Sequence, residues 1–405
     1  MIYQIAQLAD IIDGDRGKNY PKQNEFSDQG FCLFLNAGNV TPTGFSFEEN
    51  SFITQEKDSS LRKGKLQRGD IVYTTRGTVG NAAFYSETVP FENIRINSGM
   101  VILRCHEDVI DKRYLYQILK SEYFRPYFKQ YCTGSAQPQL PIMNFSKIEL
   151  NIPKMEIQRR IADILSAYDD LIENNRKQIK LLEEAAQRLY KEWFVDLRFP
   201  GHEHTKITDG VPEGWRDIRL SDVAAINANN IPKNYPFDHI EYTDLSSVQN
   251  GIIKETTRYS LADAPGRAKR LATDGDVIWG MVRPNLKSFA LVQHPKETDV
   301  FSTGFCVLSS KTVPFSYLYY AVTTENFINY LVNCTNGAAY PAVKPIHFAE
   351  AKLLCPDTQL LNKFDAIVEP MLRKREKALI MINQAQQARD RLLPKLINGK
   401  LENIL

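Results

Sequence analysis

The sequence has few of the features that mark a secreted, membrane-spanning or strongly DNA-attracting protein. Its 405 residues carry 50 lysines and arginines against 48 aspartates and glutamates, a net charge of only +2. DNA-binding domains often have a strongly basic balance, so any DNA affinity must come from local basic patches or from a partner. No apolar run approaches the roughly 18 residues of a membrane span, and no basic stretch precedes an apolar one at the N-terminus. We therefore expect a soluble, cytoplasmic protein with no membrane contact.

Cysteine is scarce, and metal-binding patterns are missing. None of the six cysteines forms a Cys-x-x-Cys pair, which favours buried, reduced thiols in a cytoplasmic protein. His202 and His204 lie two residues apart in a segment that resembles a linker, with no third ligand nearby. We predict no metal site.

Motifs of self-contained enzymes are missing too. The sequence has no Gly-x-Gly-x-x-Gly after a strand, no nucleotide-binding phosphate loop and no Gly-x-Ser-x-Gly elbow. It also lacks the Asn/Asp-Pro-Pro-Tyr/Phe run of amino-methyltransferases, and its acidic residues show no nuclease-like pairing. We predict a chain that is not itself an enzyme, which an activity assay on the isolated chain would test.

An internal repeat is the main feature that is present. Residues 145–153 align with 348–356 at an offset of 203, and the same offset aligns 114–116 with 317–319. Nearer the N-terminus the offset drifts by a few residues, so that Gly69-Asp70-Ile71-Val72 matches 275–278. An ordered series of matches over a half-chain indicates a tandem duplication.

Each repeat consists of a mixed α/β globular part and a helical part. We predict globular domains at 1–152 and 206–355, and helical spacers at 153–205 and 356–405. Strands are expected within 66–73 and 98–104, and a helix over 114–131. The repeats diverge most between these elements, where loops and binding residues usually lie. Two similar scaffolds with different loops suggest two different targets.

The helical parts carry apolar residues at alternating steps of four and three, which is typical of a coiled-coil seam. The first seam runs from Ile161 to Trp193 and the second from Phe364 to Leu396, with arginines at 375 and 389 in the second. The seam positions on which we base the pairing are Ile172, Asn175, Ile179, Leu182, Leu189, Ile382 and Leu392. The polar Asn175 either fixes the pairing register or marks a solvated helix end.

We expect each helical part to break near Ala167 or Pro370, because proline starts or kinks a helix, and Pro394 to end the second helix early. The two seams would then pair antiparallel along a helix of about 37 Å, at 1.5 Å per residue. This length is close to one turn of B-DNA, about 34 Å. A plain dimerisation or stability rod is the alternative.

Together these features resemble the specificity subunit of type I restriction–modification systems, over essentially the whole chain. The resemblance rests on the repeat, on the Gly-Asp turns at 69 and 275, and on residues 134–140 and 152–165. The second half lacks the glutamines of 134–140. The resemblance implies an α+β fold, with two pseudo-symmetric α/β target-recognition domains separated by two long antiparallel helices in a coiled coil.

The resemblance also implies the function and the partners. Each domain would read one half of a bipartite, asymmetric sequence in double-stranded DNA, and the helices would set the gap and dock two modification (methyltransferase) subunits. Restriction/translocation subunits would complete the complex. S-adenosylmethionine, ATP and Mg would be used by these partners, and no cofactor by this chain. A coiled-coil protein-interaction scaffold without its own DNA specificity remains the alternative.

Polar loops after the predicted strands supply the candidate DNA contacts. Arginine suits guanine, asparagine and glutamine suit adenine, and cations or amides suit phosphate. The candidates in the first half are Arg16, Lys18, Asn19, Thr75, Arg76, Thr78, Ser135, Gln137 and Gln139. Those in the second half are Arg283, Asn285, Lys287, Tyr340 and Lys344. Each residue could instead belong to an ordinary solvated turn.

Overall fold

The fold is taken from a computed structural model, which describes residues 1–134, 138–335 and 341–397. The chain forms two compact units. The first comprises Met1–Asn174 and Met381–Leu405, and the second comprises Asn175–Ile380. Each unit therefore combines one globular half of the sequence with a part of each helical region.

The first unit contains eleven strands in its described residues. They are β1 (Ile2–Gln4), β2 (Ala9–Asp13), β3 (Cys32–Phe34), β4 (Val40–Thr41), β5 (Gly44–Phe45), β6 (Phe52–Ile53), β7 (Ile71–Thr74), β8 (Ala82–Phe84), β9 (Ile94–Arg95), β10 (Met100–Cys105) and β11 (Glu149–Asn151). Its main sheet is antiparallel with the order β2-β10-β7-β8, and a second sheet has the order β6-β3-β9 with β3 and β9 parallel. The strands predicted within 66–73 and 98–104 are confirmed as β7 and β10.

Short helices α1 (Ile5–Leu8), α2 (Gln55–Ser60), α3 (Lys112–Leu119), α4 (Arg125–Lys129) and α5 (Ile142–Phe145) complete this globular part. The single helix predicted over 114–131 is wrong, because α3 ends at Leu119 and α4 begins at Arg125. Pro126 lies in the first turn of α4. Proline lacks an N–H and disfavours a helical residue before it, so it starts a new helix more readily than it continues one.

The main sheet of the first unit is buried on both faces, which explains its uninterrupted apolar runs. Ile71 and Tyr73 pack with the helices, and Val72 packs with the second sheet. Successive side chains of a strand point to opposite faces, so both faces require apolar residues. The start of helix α6 (Met155–Tyr190) adds Ile161 and Leu165 to the helical side of this core.

The second unit repeats this topology. Its strands are β12 (Ile207–Thr208), β13 (Val211–Pro212), β14 (Arg216–Arg219), β15 (Ala224–Ile226), β16 (His239–Thr243), β17 (Val248–Gln249), β18 (Ile252–Ile253), β19 (Thr257–Ser260), β20 (Ala268–Arg270), β21 (Val277–Gly280), β22 (Phe289–Leu291), β23 (Asp299–Ser302), β24 (Phe305–Ser310) and β25 (Lys352–Cys355). Its short helices are α7 (Leu220–Val223), α8 (Phe315–Ala321), α9 (Glu325–Asn333) and α10 (Pro345–Glu350), and the long helix α11 (Thr358–Ile397) begins in this unit. The order β15-β24-β21-β22 matches the main sheet of the first unit, and β19-β16-β23-β20 contains the same parallel pair.

The two Gly-Asp turns that support the repeat have the same geometry. Gly69 and Gly275 adopt φ values of +92° and +87°, which glycine adopts without a Cβ clash. The Asp70 carboxylate accepts a hydrogen bond from the Gln67 N–H at 2.7 Å, and Asp276 accepts one from Thr273 at 2.7 Å. Burial raises the pKa of Asp276. Each turn leads directly into the central strand of a main sheet.

The predicted helix breaks are wrong. Helix α6 continues through Ala167 for 36 residues, and α11 continues through Pro370 and Pro394 for 40 residues. Proline in a helix costs about 3 kcal/mol. Val368 and Leu372, on either side of Pro370, are both buried in the core of the second unit, and burying such a side chain contributes about 1.5–3 kcal/mol. Packing therefore outweighs the proline, and the shorter helix inferred from a break does not apply.

The helices pair antiparallel within each unit, as the seams predict. In the first unit Asp169 contacts Arg389 at 2.8 Å, while Leu165 shares a core with Leu393. In the second unit Arg375 donates to Glu183 at 2.5 Å. There Tyr190 also packs against Phe364, with ring centroids 6.0 Å apart.

The predicted seam positions lie on the inner faces of these helices. Ile172, Asn175 and Ile179 are buried, and Leu182, Leu189, Ile382 and Leu392 are half-buried. Asn175 is buried in the middle of α6, so it does not mark a solvated helix end. The predicted fold class is confirmed.

Candidate nucleic-acid interface

The first candidate loop, residues 75–81, connects β7 to β8. Arg76, Gly77 and Thr78 are exposed, and Gly77 adopts a left-handed backbone with φ +72°. Thr75 is buried, and its hydroxyl donates to the Gly99 carbonyl at 3.1 Å. The buried hydroxyl of Thr75 thus anchors a loop whose tip presents Arg76 and Thr78 to solvent.

The second candidate loop lies against the first. The backbone N–H and C=O of Gln139 pair with those of Thr133 at 2.9 and 2.8 Å, and Leu140 N–H donates to the Thr75 carbonyl at 2.9 Å. Gln139 is also bridged to Arg76 through the backbone. Ser135 and Gln137 fall outside the described residues. The structure therefore brings the Arg76 and Gln139 loops together.

The third candidate loop, residues 14–19, is organised by Asp15. This buried carboxylate accepts hydrogen bonds from the N–H groups of Arg62 and Gly17, at 2.8 and 2.9 Å. Led by the Arg62 bond, these interactions lower the pKa of Asp15 to about 2. Lys18 is exposed, while the Asn19 side-chain amide donates to the Ser60 carbonyl at 2.9 Å. The loop is thus pre-formed around a buried charge.

Residues 97–99 join the three loops of the first unit. Arg16 donates to the Ser98 carbonyl at 3.3 Å and to Asp13 at 3.1 Å. The N–H groups of Thr75 and Arg76 both donate to the Gly99 carbonyl, at 2.8 and 3.1 Å. The loops that the sequence suggested separately therefore form one surface.

The second unit uses the same backbone bonds. Met281 N–H donates to the Gly304 carbonyl at 2.9 Å, as Thr75 does to Gly99, and Val343 N–H donates to the Met281 carbonyl at 2.8 Å, as Leu140 does to Thr75. Val282 is bridged to Ala342, as Arg76 is to Gln139. The scaffold of the loops is therefore duplicated.

The side chains on this shared scaffold differ. When the loops are aligned by these backbone bonds, Arg76 matches Val282 and Gly77 matches Arg283. The two candidate arginines therefore occupy positions of the loop that differ by one residue. Arg283 has φ +49° and ψ +68°, in the left-handed region that Gly77 also occupies. Residues other than glycine, asparagine and aspartate rarely adopt this conformation. Arg283 therefore keeps the backbone of the duplicated loop, although its residue type disfavours it.

The other candidates of the second half differ in their exposure to solvent. Asn285 and Lys344 are exposed, and Lys344 precedes helix α10. Lys287 is half-buried and forms an ion pair with Glu325 at the start of α9. Tyr340 falls outside the described residues. Arg283, Asn285 and Lys344 thus offer polar groups to solvent at this loop surface.

Two basic segments beside these loops were not identified as candidate DNA contacts from the sequence. Arg62 of residues 62–65 contacts the Asp15 loop, and Lys269 and Arg270 of residues 267–270 pair with Ile231 and Asn230 of the second unit. Each segment precedes a Gly-Asp turn, seven or eight residues before its glycine. This repeated basic run was a signal that could have identified them.

Metal sites and membrane spans both have recognisable patterns, and residues 1–134, 138–335 and 341–397 are the part of the chain in which they can be sought. In this part of the chain, no group of three histidine, cysteine or acidic residues is placed to hold a metal ion. No helix there is both long and apolar enough to cross a membrane. His202, from the histidine pair of the linker, lies with its Nδ1 2.8 Å from the Phe199 carbonyl.

Comparisons with known proteins agree on one family. Residues 2–184 match the family model of the type I restriction modification DNA specificity domain. The chain is 27% identical over 360 residues to the type I restriction enzyme MjaIX specificity subunit of Methanocaldococcus jannaschii, covering 85% of this chain and 80% of that protein. It is 21% identical over 457 residues to the HindI specificity subunit of Haemophilus influenzae, covering 96% and 98%.

A solved structure shows the same fold. The crystal structure of the type I restriction–modification S subunit from M. genitalium matches with a TM-score of 0.64 at 15% identity, over 98% of this chain and 95% of that chain. The family model and the two relatives confirm the resemblance found in the sequence, and the solved structure shows the same fold.

Proposed function

Because residues 2–184 match the type I DNA specificity domain and the chain has the fold of a type I specificity subunit, we propose that it is the DNA-recognition subunit of a type I restriction–modification complex. Each unit reads one half of a bipartite, asymmetric target. The chain is not catalytic, and it works in the cytoplasm, where we expect its target DNA.

The observation that carries this proposal is one loop scaffold bearing two sets of side chains. The backbone bonds of Thr75 and Leu140 recur at Met281 and Val343. The exposed tips differ, with Arg76 and Thr78 in one unit and Arg283 and Asn285 in the other. Base edges are distinguished by side-chain donors and acceptors. Equal scaffolds with unequal tips therefore suit the reading of two different half-sites.

The helices support the second part of the proposal, the docking of partner subunits. Leu181 on α6 and Ile380 on α11 are 65% and 44% exposed. Leu171, Ile367 and Met381 on the same two helices are exposed as well, and exposed apolar side chains that form a patch mark sites of protein contact. We propose that two modification subunits dock on the helices and that restriction/translocation subunits join them. S-adenosylmethionine, ATP and Mg would bind to those partners.

The test is selection of 40-bp duplexes from a random pool by the full chain, alone and assembled with its modification subunit. We expect enrichment of two short motifs separated by a fixed gap. Arg76→Ala should relax only one motif and Arg283→Ala only the other, each with a loss of about 1–3 kcal/mol, or roughly 5- to 150-fold in affinity.

The scaffold alternative makes the opposite prediction for the same selection. A coiled-coil protein without DNA specificity would enrich no motif in either assembly. A single uninterrupted motif that both variants relax equally would contradict the assignment of one half-site to each unit. Lys352→Ala, an exposed charge on β25, is the control and should leave both motifs unchanged.

A further inference from the structure

We propose that residues 62–65 and 267–270 are phosphate-binding segments, which hold the DNA backbone against the reading loops of the first and second unit. The inference rests on the proposed function. In this inference, named residues make the sequence-independent contacts to DNA. The two segments are separate parts of the chain, so each unit supplies its own observation.

In the first unit the segment is fixed beside the candidate loops. Arg62 N–H donates to Asp15 at 2.8 Å, and its guanidinium lies 3.5 Å from the same carboxylate. The Gly64 carbonyl accepts a hydrogen bond from Ile96 N–H at 2.9 Å. Ile96 leads into residues 97–99, which join the loops. The basic side chains therefore border the surface that carries Arg76.

In the second unit a basic segment lies along the same kind of edge, close to the corresponding loops, and the bond that fixes it is shifted by two residues. The Arg267 carbonyl accepts from Thr303 N–H at 2.8 Å, and the neighbouring Gly304 carbonyl accepts from Met281 N–H at 2.9 Å. Lys269 is fixed through its carbonyl, which accepts from Ile231 N–H at 2.9 Å. The segment therefore borders the surface that carries Arg283.

All three cations of the first segment and two of the three in the second are exposed, and some of them also contact acidic or polar neighbours. The Arg62 side chain is 76% exposed, and Lys63, Arg267 and Lys269 are exposed. Lys65 pairs with Asp58 at 2.7 Å, and Arg270 donates to Asn230 at 2.9 Å. The Asp15 carboxylate offsets part of the Arg62 charge. The exposed cations have long side chains that can contact phosphate groups.

Phosphate is the ligand that this arrangement favours over a base. Lys65 is bridged to Arg95 of the edge strand β9, and residues 268–270 form the edge strand β20. Both segments retain a basic run while the loop tips change. Phosphate contacts fix the position of a protein on the duplex and carry no sequence information, so they can stay the same while the target changes. Because the net charge is only +2, any attraction of this chain itself to DNA depends on such local patches.

The test measures the salt dependence of binding by the full chain to a labelled 40-bp duplex of mixed sequence, between 50 and 200 mM NaCl. Each phosphate contact contributes about 0.9 to the slope of log K against log salt. Lys63→Ala and Lys269→Ala should each lower the slope by about 0.9. Over this fourfold salt range, each variant should then lose about 3.5-fold less affinity than the wild type. Lys63→Glu and Lys269→Glu should weaken binding further.

Lys147→Ala and Lys352→Ala are the matched controls, because both lysines are exposed but lie on other segments. They should keep the wild-type slope. Wild-type slopes in both segment variants, with unchanged melting temperatures, would overturn the inference while leaving the proposed function intact. Absence of duplex binding by the wild type, even with its modification subunit, would overturn both. A changed recognition motif in Lys63→Ala would contradict phosphate contact and indicate a base contact.

Discussion

Replacing Arg283 by glycine should relieve backbone strain in the second unit and weaken DNA binding at the same time. Arg283 adopts φ +49°, and a left-handed backbone costs an ordinary L-residue about 1–2 kcal/mol. Glycine removes this strain but loses about 0.5–1 kcal/mol through the greater freedom of the unfolded chain. Relative to Arg283→Ala, which loses the same side-chain contacts, glycine should therefore raise the free energy of unfolding by about 0.5–1 kcal/mol. The first unit already has Gly77 at this position.

The comparison that isolates the backbone term is Arg283→Gly against Arg283→Ala. Both variants lose the guanidinium, so their side-chain contacts change equally, and only glycine relieves the strain. We expect urea unfolding to give Arg283→Gly the higher unfolding free energy, by about 0.5–1 kcal/mol. Both should lose about 5- to 150-fold in affinity for the selected target, since a base contact is worth about 1–3 kcal/mol.

Asp209→Gly provides the control, because Asp209 also has φ +49° but lies in the linker hairpin between β12 and β13. It should leave DNA affinity unchanged. Equal stability of the two Arg283 variants would refute the strain argument. Full affinity in both would refute the role of Arg283 in recognition, whatever their stabilities.

Two further predictions concern charges that hold the fold. Arg375 is 3% exposed and contacts Glu183 at 2.5 Å, so Glu183→Ala should lower the free energy of unfolding by about 2–3 kcal/mol. The Glu183 side chain is 34% exposed, so the expected loss of unfolding free energy is smaller than for a fully buried ion pair. The double variant Arg375→Met with Glu183→Met should recover most of this loss in urea unfolding. An equal loss in the double variant would contradict the ion-pair explanation. The pKa of Asp15 is lowered to about 2 from an ordinary 3.8, so its contribution is complete above pH 4 and disappears as the pH falls towards 2. The difference in unfolding free energy between wild type and Asp15→Asn should therefore shrink from pH 6 to pH 3, and a constant difference would show that charge is not the cause.

The features that could be predicted from the sequence are those with a periodic or repeated pattern. The buried seam of α6 follows from apolar spacing, and β7 and β10 follow from apolar runs next to a turn. The duplication required only matching residues, such as the Gly-Asp pairs at 69 and 275. Each of these signals depends on residue type, which is what a sequence records directly.

The helix breaks and the matching of the loops could not be predicted in this way. Pro370 has a local preference against helix, but the burial of Val368 and Leu372 depends on distant residues that the local pattern does not show. The loop match depends on backbone hydrogen bonds such as Met281 to Gly304, and amides and carbonyls are the same in every residue. Arg76 and Arg283 are alike as residues, yet the backbone places them one position apart.

The type of bond that holds the loops also explains how one scaffold can serve two targets. Where a side chain fixes a loop, as Thr75 does through its hydroxyl, that residue is constrained; its counterpart Met281 has no hydroxyl and keeps only the backbone bond. The bond from the residue 281 N–H to the Gly304 carbonyl is available to any residue except proline. The exposed positions that follow can then change type without loss of the loop. Recognition can therefore diverge between the units while their backbones remain equivalent.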